Sequence, residues 1–240
     1  MVSSTSALLK ACLFHAEIVA WLVALGLTVA AEPGWAGASG LLALGAHVAG
    51  RRWSRQSPVA MPYVMRWILL VPRGPHSPTR VQRLLQPHSG ERILEVGPGV
   101  GVHALPIAAA LQPDGVLDVL DLQQEMLDDL MRRAARRGLG NIVPRQGDAQ
   151  RLPYPDASFD AAYLVSVLGE IPDAALALRE LRRVLEPRGR LLIGEVIVDP
   201  DFISLPALHT LARSAGFVVE RQSGPRFAYM ALLRPMPVAA

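Results

Sequence analysis

The chain has 240 residues, a length that suits one domain of ordinary to large size with an appendage. Its net charge of +3, from 24 basic and 21 acidic residues, is too small and too scattered to predict nucleic-acid binding. The single cysteine, Cys12, excludes an internal disulfide, and six histidines without metal-ligand spacing predict no metal site. The abundance of Arg, Ala, Leu and Gly, with Lys10 the only lysine, indicates a bacterial coding bias.

The first 72 residues predict a hydrophobic helical segment that associates with a membrane. Two apolar runs, 18–31 and 35–50, are separated by a Glu-Pro-Gly turn, and three arginines follow the second run. Because a bilayer-spanning helix needs about 20 apolar residues, a hairpin with both ends in the cytoplasm is one interpretation. A signal peptide ending near Ala31 and a pair of helices that covers the cleft of the following domain remain as alternatives.

A third apolar stretch, 61–71, fits either a helix at a membrane interface or a helix packed on the following domain. Residues 72–78 are rich in proline and predict a linker. We therefore place a separate domain at 73–240.

From residue 77 onward, short β-rich runs alternate with amphipathic helical runs. The predicted strands are 92–96, 116–121, 142–146, 159–165, 190–198, 217–222 and 227–233, and the predicted helices are 79–85, 102–111, 123–137, 174–185 and 205–215. The alternation predicts an α/β, Rossmann-like fold with a mostly parallel, seven-stranded sheet. The last two strands have no helix between them, so they are expected to form an antiparallel terminal hairpin.

The first motif with chemical meaning is the turn after the first predicted strand, where Glu95 precedes Gly97, Gly99 and Gly101. Glycines let the backbone turn sharply and approach a ligand closely. The spacing differs from the GxGxxG of dinucleotide sites, which hold a pyrophosphate at a helix N-terminus. A carboxylate at this position suits a ligand that carries positive charge.

The second motif is Asp121, at the end of the second predicted strand and 20 residues beyond Gly101. A carboxylate at this place accepts two hydrogen bonds from ribose hydroxyls. The alternative is a carboxylate that only stabilises the start of the next helix.

The third motif is the segment GDAQRLPYPDASFD at 147–160, and ALALRELRRVLEPRGRLLIGE follows at 175–195. Both segments resemble the small-molecule methyltransferases related to ubiquinone and menaquinone biosynthesis, over about residues 77–235. The resemblance implies the class I fold and S-adenosylmethionine as cofactor, with Asp148 at the adenine amino group and Ala149 at the ring. It also places Leu122 and Val165 at the cofactor. One departure is Arg188, where the family often has glycine.

The same resemblance places the acceptor-facing groups just after the fourth and fifth strands. Glu170 is the first candidate for a general base or for a carboxylate that orients an ammonium, and Glu195 is the second. The alternative for both is an exposed acid at the start of a helix. His103, beside the glycine loop, either lines the pocket or only opens its helix.

These motifs together predict methyl transfer from S-adenosylmethionine to a small, lipophilic acceptor at the cytoplasmic face of a membrane. Nucleic acid is not expected as a partner, because the Asn-Pro-Pro-Tyr type of motif is missing after the fourth strand. Two alternatives stay open, namely a membrane-bound scaffold that binds the cofactor without turnover and a nucleotide-binding oxidoreductase.

Overall fold

The structure is a computed structural model that describes residues 60–70 and 74–237, together with the isolated residue Gly45. The predicted apolar helices at 18–31 and 35–50 lie outside these described residues, apart from Gly45. The predicted linker is described only from residue 74.

Seven strands and five α-helices lie within the described residues 74–237. The strands are β1 (Arg92–Val96), β2 (Val116–Asp121), β3 (Ile142–Gln146), β4 (Phe159–Val165), β5 (Leu185–Val196), β6 (Phe217–Ser223) and β7 (Ala228–Pro235). The helices are α1 (Pro78–Leu85), α2 (Ala104–Leu111), α3 (Gln124–Arg136), α4 (Ala174–Val184) and α5 (Leu205–Ser214). Short 3-10 helices occupy Tyr63–Leu70, Gly74–His76 and Leu168–Glu170.

The seven strands form one sheet in the order β3-β2-β1-β4-β5-β7-β6. The first five strands in this order are parallel, and β7 pairs antiparallel with both β5 and β6. The predicted α/β, Rossmann-like sheet with an antiparallel terminal hairpin is therefore confirmed. Strands β2 and β3 extend the sheet on one side of β1, and β4 and β5 extend it on the other. The strand order therefore reverses between β1 and β4, and ligands of open α/β sheets bind in the crevice at such a switch point.

The helices cover both faces of the sheet. Buried side chains of α1, α2 and α3 pack on one face, and those of α4 and α5 pack on the other. In α3 the buried residues Met126, Leu127, Leu130 and Ala134 recur with the spacing of one helix face. Both faces of the central strands are therefore buried, which explains their nearly continuous apolar sequences.

The boundary between the fourth helix and the fifth strand differs from the prediction. The strand begins at Leu185 rather than at residue 190, because Leu185 is buried and pairs with Phe159. The pairing resumes only at Arg190, opposite Ala161, so the intervening residues form an irregularity in the ladder. The sequence does not reveal this junction, because no glycine or proline separates the end of the helix at Val184 from the start of the strand at Leu185.

The described residues correct the prediction of a membrane-associated location. Within residues 60–70 and 74–237, no helix has both the length and the apolar character needed to cross a bilayer. The prediction of a membrane-associated protein with its catalytic domain in the cytoplasm is wrong on this finding. Of the stretch predicted at 61–71, the described residues 61–70 form only the short 3-10 helix Tyr63–Leu70, which packs on α3.

The described part of the predicted linker belongs to the folded domain. Gly74–His76 forms a 3-10 helix that packs against β7. His76 is 1% exposed, and its Nε2 lies 3.2 Å from the backbone oxygen of Tyr229. A histidine buried in this way fixes the chain onto the sheet just before α1 begins.

Candidate functional site

The loop after β1 takes up backbone conformations that side chains disfavour. Gly97, Gly99 and Gly101 all have positive φ, with 69° and 53° at the first two positions. A Cβ at Gly97 would lie 2.6 Å from Val167 Cγ2, and a Cβ at Gly99 would lie 2.6 Å from Leu69 Cδ1. The predicted glycine loop is therefore a place of close backbone approach, as a ligand-binding turn requires.

Asp121 ends β2 and faces the glycine loop. Its Oδ2 accepts a hydrogen bond of 3.3 Å from the N–H of Gly99, and its Oδ1 accepts one of 2.9 Å from the N–H of Gln123. Burial raises the pKa of this carboxyl, while the backbone N–H groups act to lower it. The contact with Gln123 lies at the start of α3. The geometry therefore suits both interpretations of Asp121, as a ligand of ribose hydroxyls and as a carboxylate that stabilises the start of the helix.

Glu95 is buried in β1, two residues before the glycine loop. Its Oε2 accepts a hydrogen bond of 2.7 Å from the hydroxyl of Tyr163 on β4. Burial is the largest cause that raises the pKa of Glu95 to about 8, and the negative charge of Asp121 acts in the same direction. The carboxyl is therefore mostly protonated at neutral pH, and a cation placed beside it favours its ionised form.

The loop after β3 lies beside Asp121, because the N–H of Gly147 donates to the Asp121 backbone oxygen at 2.9 Å. Asp148 is exposed, and its carboxylate accepts hydrogen bonds from the backbone and side-chain amides of Gln150. Ala149 is buried at 5% exposure. The structure thus brings Asp148 to the same edge of the sheet as Asp121.

The two remaining predicted cofactor residues also lie at this edge. Leu122 directly follows Asp121, and its side chain is 48% exposed. Val165 ends β4 and stands opposite Gly194 of β5 in the register of the sheet.

The 3-10 helix Tyr63–Leu70, here named the covering helix, lies across this edge of the sheet. Its three residues per turn place Tyr63, Arg66 and Leu69 in one row. The Tyr63 hydroxyl donates to Asp129 Oδ2 on α3 at 2.7 Å, and Arg66 Nε lies 3.1 Å from the same oxygen. Leu69 contacts the glycine loop, so the covering helix connects α3 with the turn that is predicted to bind the cofactor.

Met61, just before the covering helix, is held from two sides. The side-chain amide of Gln123 donates to the Met61 backbone oxygen at 2.8 Å, and the Met61 N–H donates to Glu170 Oε2 at 3.1 Å. Glu170, predicted as a catalytic candidate, therefore contacts the chain that leads into the covering helix. It is half-buried, which differs from the exposed acid of the alternative interpretation.

Glu195, the second catalytic candidate, is 1% exposed near the end of β5. Its Oε2 accepts a hydrogen bond of 3.1 Å from the N–H of Ile203. Burial raises the pKa of Glu195 well above its ordinary value, and the negative charges of Asp199, Glu170 and Asp201 add to this effect. Such burial is the opposite of the exposed acid at a helix start, so that interpretation of Glu195 is wrong.

His103 precedes α2 and is buried, with 8% of its surface exposed. Its Nε2 lies 2.8 Å from the backbone oxygen of His76, and His76 in turn contacts the backbone of Tyr229. His103 therefore ties the segment before α1 to the glycine loop.

Four residues of the site carried no prediction from the sequence. Gln123 and Tyr163 contact Met61 and Glu95 across different elements, and no local pattern predicts such contacts. Asp199 and Asp201 come near Glu170 in space. Their Asp-Pro-Asp sequence after the fifth strand was a usable signal, because the carboxyl ends of parallel strands share one edge of the sheet.

Comparison with known proteins finds similarity to methyltransferases. Residues 94–193 match the family described as "Methyltransferase domain". The 27-O-demethylrifamycin SV methyltransferase of Amycolatopsis mediterranei is 31% identical over 138 residues, which cover 57% of this chain and 50% of that protein. The demethylmenaquinone methyltransferase of Geobacillus kaustophilus is 36% identical over 109 residues, which cover 45% of this chain and 47% of that protein. The chain thus spans about half the length of these curated relatives.

Among solved structures, a SAM-dependent methyltransferase from Aquifex aeolicus aligns with a TM-score of 0.66 at 20% identity. The alignment covers 72% of this chain and 98% of that protein. This likeness shows the class I methyltransferase fold. Together with the matched domain and the curated relatives, it supports a S-adenosylmethionine-dependent methyltransferase with S-adenosylmethionine as the methyl donor.

Proposed function

We propose that the protein transfers a methyl group from S-adenosylmethionine to a small, lipophilic acceptor. One observation carries this proposal, namely that two buried carboxylates, Glu95 and Asp121, flank the glycine loop. A dinucleotide presents an anionic pyrophosphate to such a loop, and this anion gains no ion pair from Glu95, which is mostly protonated at neutral pH and ionises more readily beside a cation. S-adenosylmethionine carries an ammonium and a sulfonium group and no phosphate, so this charge pattern favours it.

In this proposal, each predicted cofactor residue has a role that suits its position. Asp121 accepts the ribose hydroxyls through the lone pairs that its two backbone contacts leave free. Glu95, with the turn at Gly97, holds the amino end of the cofactor. Asp148 and Ala149, in the loop next to Asp121, accept and donate the hydrogen bonds of the adenine ring.

The chemistry is an in-line displacement in which the acceptor bonds to the methyl carbon as the bond from sulfur to that carbon breaks. The electron pair of the broken bond stays on sulfur, and S-adenosylhomocysteine leaves. The protein contributes alignment of the two reactants and exclusion of water. The covering helix serves both purposes, because Leu69 contacts the glycine loop and Met65 is buried at 3% exposure.

Apolar residues beside the site support a lipophilic acceptor. Val167, Ile171 and Phe202 are partly buried hydrophobic side chains around the turn after β4 and the turn after β5. The matched relatives are named for a rifamycin and for demethylmenaquinone. An acceptor with a large apolar surface would gain free energy by burying it against these side chains.

A labelling experiment tests the proposal. We would incubate the purified full chain with methyl-labelled S-adenosylmethionine and a bacterial cell extract, and then partition the products between organic solvent and water. The expected result is label in the organic phase, with Asp121→Ala as the variant that abolishes it. Label only in the aqueous phase would contradict a lipophilic acceptor.

Two further results would favour the alternative functions. Binding of S-adenosylhomocysteine without any label transfer would favour a scaffold without turnover. Displacement of S-adenosylhomocysteine by equimolar NAD would favour a nucleotide-binding oxidoreductase.

A further inference from the structure

Three carboxylates converge at the carboxyl ends of β4 and β5. Glu170 ends the turn after β4, whereas Asp199 and Asp201 belong to the turn after β5. One oxygen of each carboxylate lies within 4.8 Å of an oxygen of the other two. We propose that these carboxylates bind one divalent cation of the class that prefers oxygen ligands, such as Mn²⁺ or Ca²⁺.

The fold brings the two turns together through a residue without a side chain. A Cβ at Gly169 would lie 1.9 Å from the backbone oxygen of Asp201, so only glycine allows this approach. Within the second turn, the Asp201 N–H donates to Asp199 Oδ1 at 3.3 Å. These contacts place the carboxylate of Asp201 next to that of Glu170, although 31 positions separate them in the sequence.

A fourth carboxylate points toward the same turn. Glu195 Oε2 accepts from the Ile203 N–H, which directs the buried side chain from β5 toward the turn at 199–203. Its other oxygen, Oε1, is buried without a hydrogen-bond partner among the residues that the structure describes. A buried oxygen in this state costs free energy unless a ligand satisfies it. Glu195 is therefore an independent sign of a ligand beside Glu170, Asp199 and Asp201.

The spacing of the oxygens allows one cation to contact all three carboxylates. Oxygens bound to Ca²⁺ at about 2.3–2.6 Å lie at most about 5 Å apart, whereas Mg²⁺ at about 2.1 Å requires separations of about 4.2 Å or less. Separations of at most 4.8 Å are therefore compatible with one Ca²⁺ that all three carboxylates bind. Carboxylates without any nitrogen or sulfur ligand also select for this class of ion over zinc or copper.

Cation binding by these carboxylates does not depend on methyl transfer, since it rests on ligand geometry alone. The spacing of histidine and cysteine in the sequence predicts no metal site, whereas the carboxylates that converge here come from two separate turns.

Mn²⁺ binding tests this proposal directly. We would titrate the full chain with MnCl₂ and follow the six-line electron paramagnetic resonance signal of free Mn²⁺, which disappears on binding. The test variants are Glu170→Gln and Asp199→Asn, because the amide side chains keep an oxygen that accepts the hydrogen bonds from Met61 and Asp201. The control is Asp114→Asn, an exposed residue before β2.

The expected result is one saturable Mn²⁺ site per chain. Each test variant weakens it by about tenfold or more, because each removes one charged ligand, and the control leaves it unchanged. A thermal unfolding transition verifies that each variant is folded. If Glu170→Gln does not fold, the test uses Asp199→Asn. Weak, unsaturable binding by the wild-type chain, or equal binding by a folded test variant, would overturn the proposal.

Discussion

The two halves of the carboxyl edge of the sheet hold their acidic side chains in different ways. The half at β1 and β2, here named the cofactor half for its proposed role, contains Glu95 and Asp121, whose carboxyls accept hydrogen bonds from different elements of the chain. The half at β4 and β5, here named the acceptor half for its proposed role, brings one oxygen each of Glu170, Asp199 and Asp201 within 4.8 Å of one another. Carboxyls that contact different elements suit a ligand that has hydroxyls and one cationic group, whereas carboxylates that converge suit a divalent cation.

Because the two halves use different residues, we expect substitutions to impair the ligand binding of each half separately. Changes at Asp121 or Glu95 should affect cofactor affinity and leave Mn²⁺ binding intact. Changes at Gly169 should do the reverse. A result in which one variant damages both halves equally would mean that the site is one cooperative unit.

The largest effect is expected for Asp121→Ala. Loss of hydrogen bonds to a charged acceptor, at about 1.5–3 kcal/mol each, should lower the affinity for S-adenosylhomocysteine about 100-fold. Calorimetric titration measures this affinity. The control is Asp114→Ala, which removes an exposed aspartate before β2. An affinity of the Asp121→Ala protein close to that of the wild type would remove Asp121 from the cofactor site.

The second effect is a pH dependence set by Glu95. Its pKa of about 8 means that the free protein binds a proton that the ligand ammonium must displace. The affinity for S-adenosylhomocysteine should therefore rise with pH up to about 8, by at most about tenfold per unit. Titrations in buffers of different ionisation enthalpy should show proton release at pH 7. In Glu95→Gln both the proton release and the rise should be lost, and their persistence would exclude Glu95 as the cause.

The same residue predicts the pH dependence of folding stability. The pKa of Glu95 is higher in the folded chain than its ordinary value of 4.5, so the folded state holds a proton that the unfolded state releases. This group's contribution therefore lowers the stability of the ligand-free protein as pH rises from about 4.5 to about 8. Chemical denaturation measures the free energy of unfolding of both proteins. This free energy should fall less with rising pH in Glu95→Gln than in the wild type.

The third effect concerns the acceptor half alone. Gly169→Ala forces the Asp201 backbone away, since the added Cβ would lie 1.9 Å from its oxygen. We expect Mn²⁺ affinity to fall about tenfold while S-adenosylhomocysteine affinity changes less than about threefold. The control is Gly140→Ala, where a Cβ meets nothing within 4 Å. Equal losses of both affinities would show that the two halves do not act separately.

The smallest effect is expected at the covering helix. Asp129→Asn weakens the contacts with Tyr63 and Arg66, and the hydrogen bond from Tyr63 holds the pKa of Asp129 below its ordinary value. Ion pairs of this exposed kind contribute little, so S-adenosylhomocysteine should dissociate only about threefold faster. Stopped-flow displacement measures this rate, with Asp128→Asn on the same helix as the control. A tenfold or larger increase would mean that the covering helix holds the ligand more firmly than its contacts indicate.

The same contrast explains how much of the site could be predicted from the sequence. The cofactor half is encoded in contiguous motifs, since Gly97, Gly99 and Asp121 each stand at the end of a strand with a clear pattern. Their positions at the carboxyl edge follow from the parallel sheet, which the alternation of strands and helices predicts. The hydrogen bond between Glu95 and Tyr163 depends instead on the pairing of β1 with β4, which no local pattern reveals.

The acceptor half and the covering helix could not be predicted in this way. The convergence of Glu170 with Asp201 depends on the missing side chain of Gly169, which is one glycine among 20. The stretch at 61–71 has an apolar composition that suits a membrane and a protein core equally well. Only the contacts of Tyr63 and Leu69 with the domain distinguish the two.

The most direct test of the account is a calorimetric titration of the full chain with S-adenosylhomocysteine and, separately, with NAD. The arrangement of Glu95 and Asp121 around the glycine loop predicts one S-adenosylhomocysteine per chain, with proton release at pH 7 and with no measurable heat from NAD. Tighter binding of NAD, or a folded protein that binds no S-adenosylhomocysteine, would contradict the central claim.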